Sequence, residues 1–159
     1  LLKAKEYAKQ NRVKIKDYAK SYYKNNKTRF RVSGLCTRSR KEDLPTTLTL
    51  DETNKIFEYF DYSCALTGLK EDVHLDHVIP LSIGHGGTTV KNIIPLHSTL
   101  NLSKFNNNIF DWFKSNRERF NMSQDKFDSL IIYLADLNEM TPSKYEEYVY
   151  KCFDGSDGE

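Results

Sequence analysis

The chain has 159 residues, of which 38% are hydrophobic and 29% are charged, and its formal net charge is +2. This length fits one compact domain with appended segments, and no apolar run approaches the roughly 18 residues of a membrane span, which predicts no membrane insertion. The three cysteines, Cys36, Cys64 and Cys152, are widely separated and odd in number. This usage predicts a reducing compartment, the cytoplasm, and no disulfide framework.

Charge is divided unevenly along the chain. Residues 1–41 carry 14 Lys and Arg side chains against 2 Asp and Glu, whereas the rest of the chain carries 10 basic and 20 acidic side chains. Such segregation is typical of a protein with a densely negative partner, because each phosphate contact releases condensed counterions. We therefore interpret residues 1–45 as a basic DNA-binding arm and linker, residues 46–116 as a central domain and residues 117–159 as a helical extension.

The arm contains an internal repeat of eleven residues, in which EYAKQNRVKIK is followed by DYAKSYYKNNK. No Gly or Pro occurs in residues 1–24, so the pattern predicts a helix there, whereas residues 29–41 contain Gly34 and are predicted to be a linker. A solvated charged helix or a disordered tail is the alternative. The candidate nucleic-acid contacts in this region are Lys14, Lys16, Lys20, Lys24, Arg29, Arg31, Arg38, Arg40 and Lys41.

The central region begins with a helix signal and continues with a strand signal. In TLDETNKIFEYF, Thr49 and Glu52 have the spacing of a capping box, which predicts a short helix. Next, LDHVIPL and NIIPLH are short apolar stretches on either side of the sequence GHGG, which predicts a β-hairpin with a long connection.

Helices are predicted for the remainder of the chain. One continuous helix is expected in NLSKFNNNIFDWFKSN, with Leu102 and Phe105 on its apolar face. Two more are expected near the C-terminus, one from Ser123 to about residue 137 and one with Pro142 at its first position. The predicted fold class is therefore α+β and mostly helical.

Residues 64–108 carry an ordered set of motifs: a CxxTG turn, the pair Asp76-His77 followed by Ile-Pro, a Gly-Gly loop, Asn92, and Asn101 with Lys104 three residues later. In this respect the chain resembles the HNH endonuclease family. Its richness in Lys, Asn, Tyr and Ile and its repetitive, YAK-containing arm resemble free-standing family members from phages and mobile elements, and restriction or packaging-associated nucleases are the alternatives. The resemblance covers about residues 48–113. It implies a ββα-metal core, in which a two-stranded hairpin packs on a helix around one divalent metal ion.

The resemblance also implies roles for individual residues. His77 matches the general base of the family, and its near-neutral ordinary pKa suits the activation of water. Asp76 and Asn101 match the metal ligands, and their hard oxygen atoms favour Mg²⁺ or Mn²⁺. Asn92 matches the residue whose amide holds the loop between the strands and so orients the histidine.

Two further residues near the motif carry alternatives. Lys104 lies one helical turn after Asn101, so it is either a phosphate contact or a solvated lysine. His74 precedes Asp76 by two residues and shares its strand face, which allows a third metal ligand or a supporting hydrogen bond.

Many family members also hold a structural zinc with two CxxC pairs. Here the corresponding positions are Cys64 with Thr67 and His97 with Leu100, and two potential ligands cannot complete a tetrahedral zinc site. We therefore predict no structural zinc and expect apolar packing to replace it. The expected packing residues are Phe57, Phe60, Leu66, Ile79, Leu96 and Phe105.

Together these features predict a metal-dependent DNA endonuclease that leaves 5′-phosphate and 3′-hydroxyl ends, in the cytoplasm of the host cell if it is phage-encoded. The alternatives are a catalytically idle HNH-fold module for DNA binding or assembly, and a nuclease acting on RNA or on a mixed nucleic-acid substrate. DNA is the expected partner, and no small-molecule cofactor is expected. A single active site of this type cuts one strand, so a double-strand break would require a dimer or two visits. A phage protein is a further candidate partner. Catalysis is expected to survive removal of residues 1–41.

Overall fold

The computed structural model describes residue 9 and residues 11–155. This part of the chain is α+β and mostly helical, as predicted, with 58% helix and one two-stranded antiparallel hairpin. Its helices and strands, in chain order, are α1 (Arg12–Asn25), α2 (Lys27–Lys41), α3 (Leu50–Tyr59), β1 (Val73–His77), β2 (Ile93–His97), α4 (Ser98–Lys104), α5 (Ile109–Asn116), α6 (Gln124–Leu137) and α7 (Pro142–Asp154). None of the described helices is long and apolar enough to cross a membrane.

The basic arm consists of two helices that differ in their contacts. The predicted N-terminal helix is confirmed where the structure describes it, as α1, while most of residues 1–10 lie outside the described part. No residue of α1 is buried. The predicted linker over residues 29–41 is wrong, because these residues form most of α2.

Helix α2 is stabilised by packing against the rest of the molecule. Val32, Leu35 and Cys36 lie on one helical face and join a hydrophobic cluster with residues of α3, β1 and β2, including Ile56 and Ile93. Burial of this face outweighs the weak helix propensity of Gly34, whose Cα faces open space. The boundary predicted at residue 45 between the arm and the central domain therefore divides a hydrophobic cluster that contains residues from both sides. Helix α2 is part of the folded body.

Helix starts with strong local signals lie where the sequence predicts them. Thr49 and Glu52 form the capping box of α3: the Thr49 hydroxyl accepts from the Glu52 amide at 3.2 Å, and the Glu52 carboxylate accepts from the Thr49 amide at 2.8 Å. Ser123 caps α6, and Thr141 caps α7 with Pro142 at its first position. Such caps supply acceptors for the amides that a first turn leaves unpaired.

The hairpin is confirmed, but the helix after it is divided. In the hairpin, Asp76 pairs with Ile94 and His77 pairs with Ile93. The predicted continuous helix breaks at Phe105, which has a φ of 44°, and the Asn108 side chain then caps α5 by accepting from the Phe110 amide.

The main hydrophobic core lies between the hairpin and the C-terminal helices. It contains Leu66, Ile79 and Leu96 from the central region together with Leu134 of α6 and Val149 of α7, so residues 117–159 are integral to the core. Two of the six predicted packing residues, Phe57 and Phe60, are half-buried. Phe105 is 70% exposed, and its predicted core position is wrong because the chain turns outward where α4 ends.

Candidate active site

The candidate site is a cavity of about 340 Å³ beside the end of β1. Its lining includes Asp76 and His77 from β1 and Asn101 from α4. Arg38 and Lys41, near the C-terminal end of α2, line the same cavity. The fold thus brings together three residues of the sequence motif and two residues of the basic arm.

The His77 ring is held by a side chain that the sequence did not indicate. His77 Nε2 lies 2.9 Å from Thr88 Oγ1, and Thr88 Oγ1 donates to the carbonyl oxygen of Leu35 at 3.2 Å. A hydroxyl group has one proton, so Thr88 can only accept from His77. In the neutral ring the proton therefore sits on Nε2, and Nδ1 carries the free lone pair.

The protonation state of His77 follows from its surroundings. His77 is 7% exposed, and this burial, with the charges of Arg38 and Lys104, lowers its pKa from 6.5 to about 4. Burial penalises the charged imidazolium, and nearby cations add to that penalty. At neutral pH the ring is therefore uncharged, and one of its two nitrogens can accept a proton.

Lys104 is a buried partner of β1. Its side chain is fully buried, and its ammonium donates to the carbonyl oxygen of His77 at 2.7 Å and lies 2.9 Å from Asp76 Oδ2. Both sequence alternatives for Lys104, a phosphate contact and a solvated lysine, are therefore wrong, because an ammonium enclosed by protein is accessible neither to a phosphate nor to solvent. Burial raises the pKa of Asp76 above its ordinary range, and Lys104 opposes that shift.

Two side-chain oxygen atoms in the cavity, from Asp76 and Asn101, are suitable ligands for a divalent cation. Asp76 Oδ2 is buried and lacks a well-aligned hydrogen bond despite its ion pair with Lys104. The side chain of half-buried Asn101 has no hydrogen bond to another described residue, so its amide oxygen is available as well. The described residues contain no cluster of three or more His, Cys, Asp or Glu side chains suited to a metal ion. A metal would therefore depend on one carboxylate, one amide oxygen and water or substrate oxygens.

Asn92 holds the loop that connects the two strands. Its Oδ1 accepts from the Ile79 amide at 2.8 Å, and its Nδ2 donates to the carbonyl oxygens of Ile79 and Gly87, each at 2.9 Å. A Cβ atom at Gly86 would lie 2.5 Å from Asn92 Nδ2, and Gly86 has a φ of +74°, so the loop needs glycine there. These contacts match the loop-holding role that the family resemblance implies.

His74 lies beside the candidate site but outside its cavity. Its Nε2 is 2.9 Å from Asp72 Oδ1, and His74 lines a neighbouring cavity with Arg31, Arg38 and Asn101. The structure therefore does not bring His74 together with Asp76 and His77 as a third ligand.

The remaining basic residues of the arm are spread over its exposed surface. The Arg31 guanidinium donates to the carbonyl oxygen of Val73 at 3.4 Å, which links α2 to β1. Outside the cavity, the exposed candidates for nucleic-acid contacts are Lys14, Lys16, Lys20, Lys24, Arg29 and Arg40.

Sequence reasoning missed Thr88 and the part played by α2. Thr88 directly follows the Gly-Gly loop, but its partners, Leu35 and Ser39, lie about 50 residues earlier in the chain. Nothing local indicates that pairing. The buried face of α2 did leave a signal, because Val32, Leu35 and Cys36 have the three-to-four spacing of an amphipathic helix.

In comparisons with known proteins, no family model matches the chain, and no curated protein or solved structure is significantly similar to it.

Proposed function

We propose that this protein is a metal-dependent endonuclease of the HNH type that hydrolyses DNA phosphodiester bonds. The observation that supports this best is the neutral, oriented His77 in one cavity with Asp76 and Asn101. Phosphodiester hydrolysis needs a base for the attacking water and stabilisation of the developing phosphoryl charge. His77 is the base for the attacking water. The side-chain oxygens of Asp76 and Asn101 would bind the divalent ion that stabilises the phosphoryl charge.

Each residue of the proposed site has a separate task. Water attacks the phosphorus atom and loses a proton to Nδ1 of His77, while Nε2 stays bonded to Thr88. Asp76 and Asn101 would hold a divalent ion, which supplies Lewis-acid stabilisation of the phosphate when bound. The bond between phosphorus and the 3′ oxygen breaks, and that oxygen takes a proton from solvent. Lys104 fixes β1 through the carbonyl oxygen of His77 and balances the buried charge of Asp76.

DNA as the substrate is supported by the charge on the arm. Helix α1 is exposed on every side, and the exposed basic residues of both arm helices form a surface suited to phosphates. Arg38 and Lys41 extend this basic surface to the cavity wall. A duplex bound along the arm would therefore also find basic side chains at the cavity that contains His77.

An idle module is the second candidate, and one contact favours it. The Lys104 ammonium lies 2.9 Å from Asp76 Oδ2 and neutralises the charge that a divalent cation would use. If that ion pair excludes metal, the protein binds DNA without cutting it.

The deciding experiment uses the full chain with supercoiled plasmid and either Mg²⁺ or Mn²⁺. We expect nicked circles with metal and none with EDTA. His77→Ala should lower the cleavage rate by about 10² to 10⁴ fold, the usual contribution of a general base, with little change in DNA affinity.

Two controls separate the candidates. Asp76→Ala and Asn101→Ala should each weaken Mn²⁺ binding in calorimetry, and Asp76→Ala should be the more damaging because it removes the ligand charge. DNA binding without cleavage in any divalent metal would support the idle module. Cleavage of RNA in place of DNA would contradict the proposed substrate, and full activity in EDTA would contradict the metal.

A further inference from the structure

Arg38 is a charged side chain that lines the candidate cavity. Its guanidinium makes no ion pair or hydrogen bond with another described residue, although it lines the cavity that contains Asp76 and His77. The ammonium of Lys104, by contrast, is fully buried against Asp76 and the carbonyl oxygen of His77. Arg38 is therefore a cation available to a ligand in this cavity.

The backbone around Arg38 is fixed by contacts on both sides. The carbonyl oxygen of Leu35 accepts from Thr88 Oγ1 at 3.2 Å, and Ser39 Oγ accepts from the Thr88 amide at 3.1 Å. Ser39 Oγ also donates to the carbonyl oxygen of Pro45 at 2.9 Å. The same residue, Thr88, thus orients His77 and anchors the turn of α2 that carries Arg38. A fixed backbone lowers the cost of presenting the guanidinium at one place.

The charges around the cavity favour an anion beside Arg38. Arg38, Lys41, Glu42 and Asp76 are the charged residues that line the cavity, and the charge of Asp76 is already balanced by Lys104. The side chain of Arg38 is exposed and lines the same cavity as Asp76 and His77. A phosphate adjoining His77 would therefore lie within the field of this guanidinium.

We propose that Arg38 is a further catalytic residue, which donates to a non-bridging oxygen of the scissile phosphate and stabilises the charge that develops there during cleavage. This inference rests on the proposed nuclease function. It separates Arg38 from the other basic residues of the arm, which are assigned to general phosphate contacts. A guanidinium suits the task because its planar set of donors can bind two oxygens of one phosphate.

The test compares two arginines of one helix. Arg38→Ala removes the cation in the cavity, and Arg40→Ala removes the same charge from an exposed position outside the cavity. We expect Arg38→Ala to lower kcat at saturating duplex by about 10² to 10³ fold, the usual cost of losing a preorganised donor. Arg40→Ala should act on the duplex Kd, measured by fluorescence anisotropy without divalent metal. Arg38→Lys should recover part of kcat, since it restores charge without the paired donors.

A second measurement does not depend on activity. Inorganic phosphate is titrated into ¹⁵N-labelled full-length protein, and the Nε–Hε signal of Arg38 is assigned by its loss in Arg38→Ala. We expect that signal to shift and saturate with phosphate. Thermal unfolding of each variant checks the fold, which should be unchanged because Arg38 is exposed.

The outcomes distinguish the two proposals. If the wild type cuts DNA and the two variants Arg38→Ala and Arg40→Ala have the same kcat, the catalytic role of Arg38 is overturned and the nuclease proposal stands. If the wild type cuts no nucleic acid but phosphate shifts the Arg38 signal, the nuclease proposal and the catalytic role of Arg38 both fail, and only an anion-binding site at Arg38 is retained. An inactive wild type without that shift overturns both.

Discussion

The ammonium nitrogen of Lys104 lies 2.9 Å from Asp76 Oδ2, and the lysine side chain is fully buried. The acidic residue of the candidate site is therefore one half of an ion pair enclosed by the fold. Because Lys104 also donates to the carbonyl oxygen of His77, one side chain holds two neighbouring residues of β1 in place.

Replacing Lys104 by Met should destabilise the protein strongly. The change leaves the Asp76 carboxylate buried without its counterion, and breaking a buried pair on one side costs about 3 to 5 kcal/mol. The free energy of unfolding in urea would measure the loss. Lys70→Met is a matched control, because Lys70 pairs with Asp61 at an exposed site, where such pairs contribute about 0 to 1 kcal/mol. Equal losses of unfolding free energy in the two variants would show that the buried pair stabilises the protein no more than the exposed pair.

Thr88→Val should impair catalysis more than binding. Valine has nearly the shape of threonine but cannot accept from His77 Nε2 or donate to Leu35, so the ring loses its orientation. We expect kcat to fall with little change in KM, and Thr88→Ser to recover most of the loss because it retains the hydroxyl. The ¹⁵N chemical shifts of the His77 ring report its tautomer directly. A ring still protonated at Nε2 alone in Thr88→Val would refute this role of the hydroxyl.

Acidification should destabilise the metal-free protein, and part of this loss should come from protonation of His77. Its folded pKa of about 4 lies below the ordinary value of 6.5, so the unfolded chain binds the proton more tightly. The stabilising contribution is complete above pH 6.5 and is lost as the pH falls towards 4. We expect a loss of about 2 kcal/mol between about pH 7 and about pH 5. His77→Gln lacks this titration, so parallel pH curves for the two proteins would contradict the prediction.

Stepwise truncation should separate the two helices of the arm. Removing residues 1–25 takes away exposed α1, so the remaining protein should fold, bind duplex more weakly and show a flatter salt dependence, by about 0.9 in the log-log slope for each lost phosphate contact. Removing residues 1–41 also removes buried Val32, Leu35 and Cys36 of α2 and should therefore unfold the body and abolish catalysis. This revises the expectation that catalysis survives that deletion. An active, folded product of the longer truncation would contradict the revision.

The parts of the fold that were predictable depend on neighbouring residues. The capping box of α3 involves residues three apart, and the hairpin was indicated by two apolar stretches around a glycine-rich connection. Helix α2 was missed because Gly34 and a high density of charge resemble a linker, whereas its stability comes from burial against α3, β1 and β2. The division of the helix after β2 was also missed, since the apolar spacing of Leu102 and Phe105 continues across the break at Phe105.

The candidate site was predictable in its residues but not in its connections. The motif drew attention to Asp76, His77 and Asn101, which line one cavity. The burial of Lys104 and the bond from Thr88 to His77 depend on residues that meet only in the folded chain. Sequence spacing carries no information about such contacts between distant segments.

The position of Thr88 has a consequence for the order of folding. Its amide donates to the carbonyl oxygen of Pro45, its carbonyl oxygen accepts from the amides of Thr47 and Leu48, and its hydroxyl bonds to Leu35. Closing these contacts joins segments about 40 to 50 residues apart, and non-local closures are slow compared with the formation of a hairpin or a helix. The strands and α4 can thus assemble before the His77 ring acquires its partner. A newly made or partly unfolded chain would hold the motif residues without an oriented histidine, so the proposed cleavage would begin only when folding is complete.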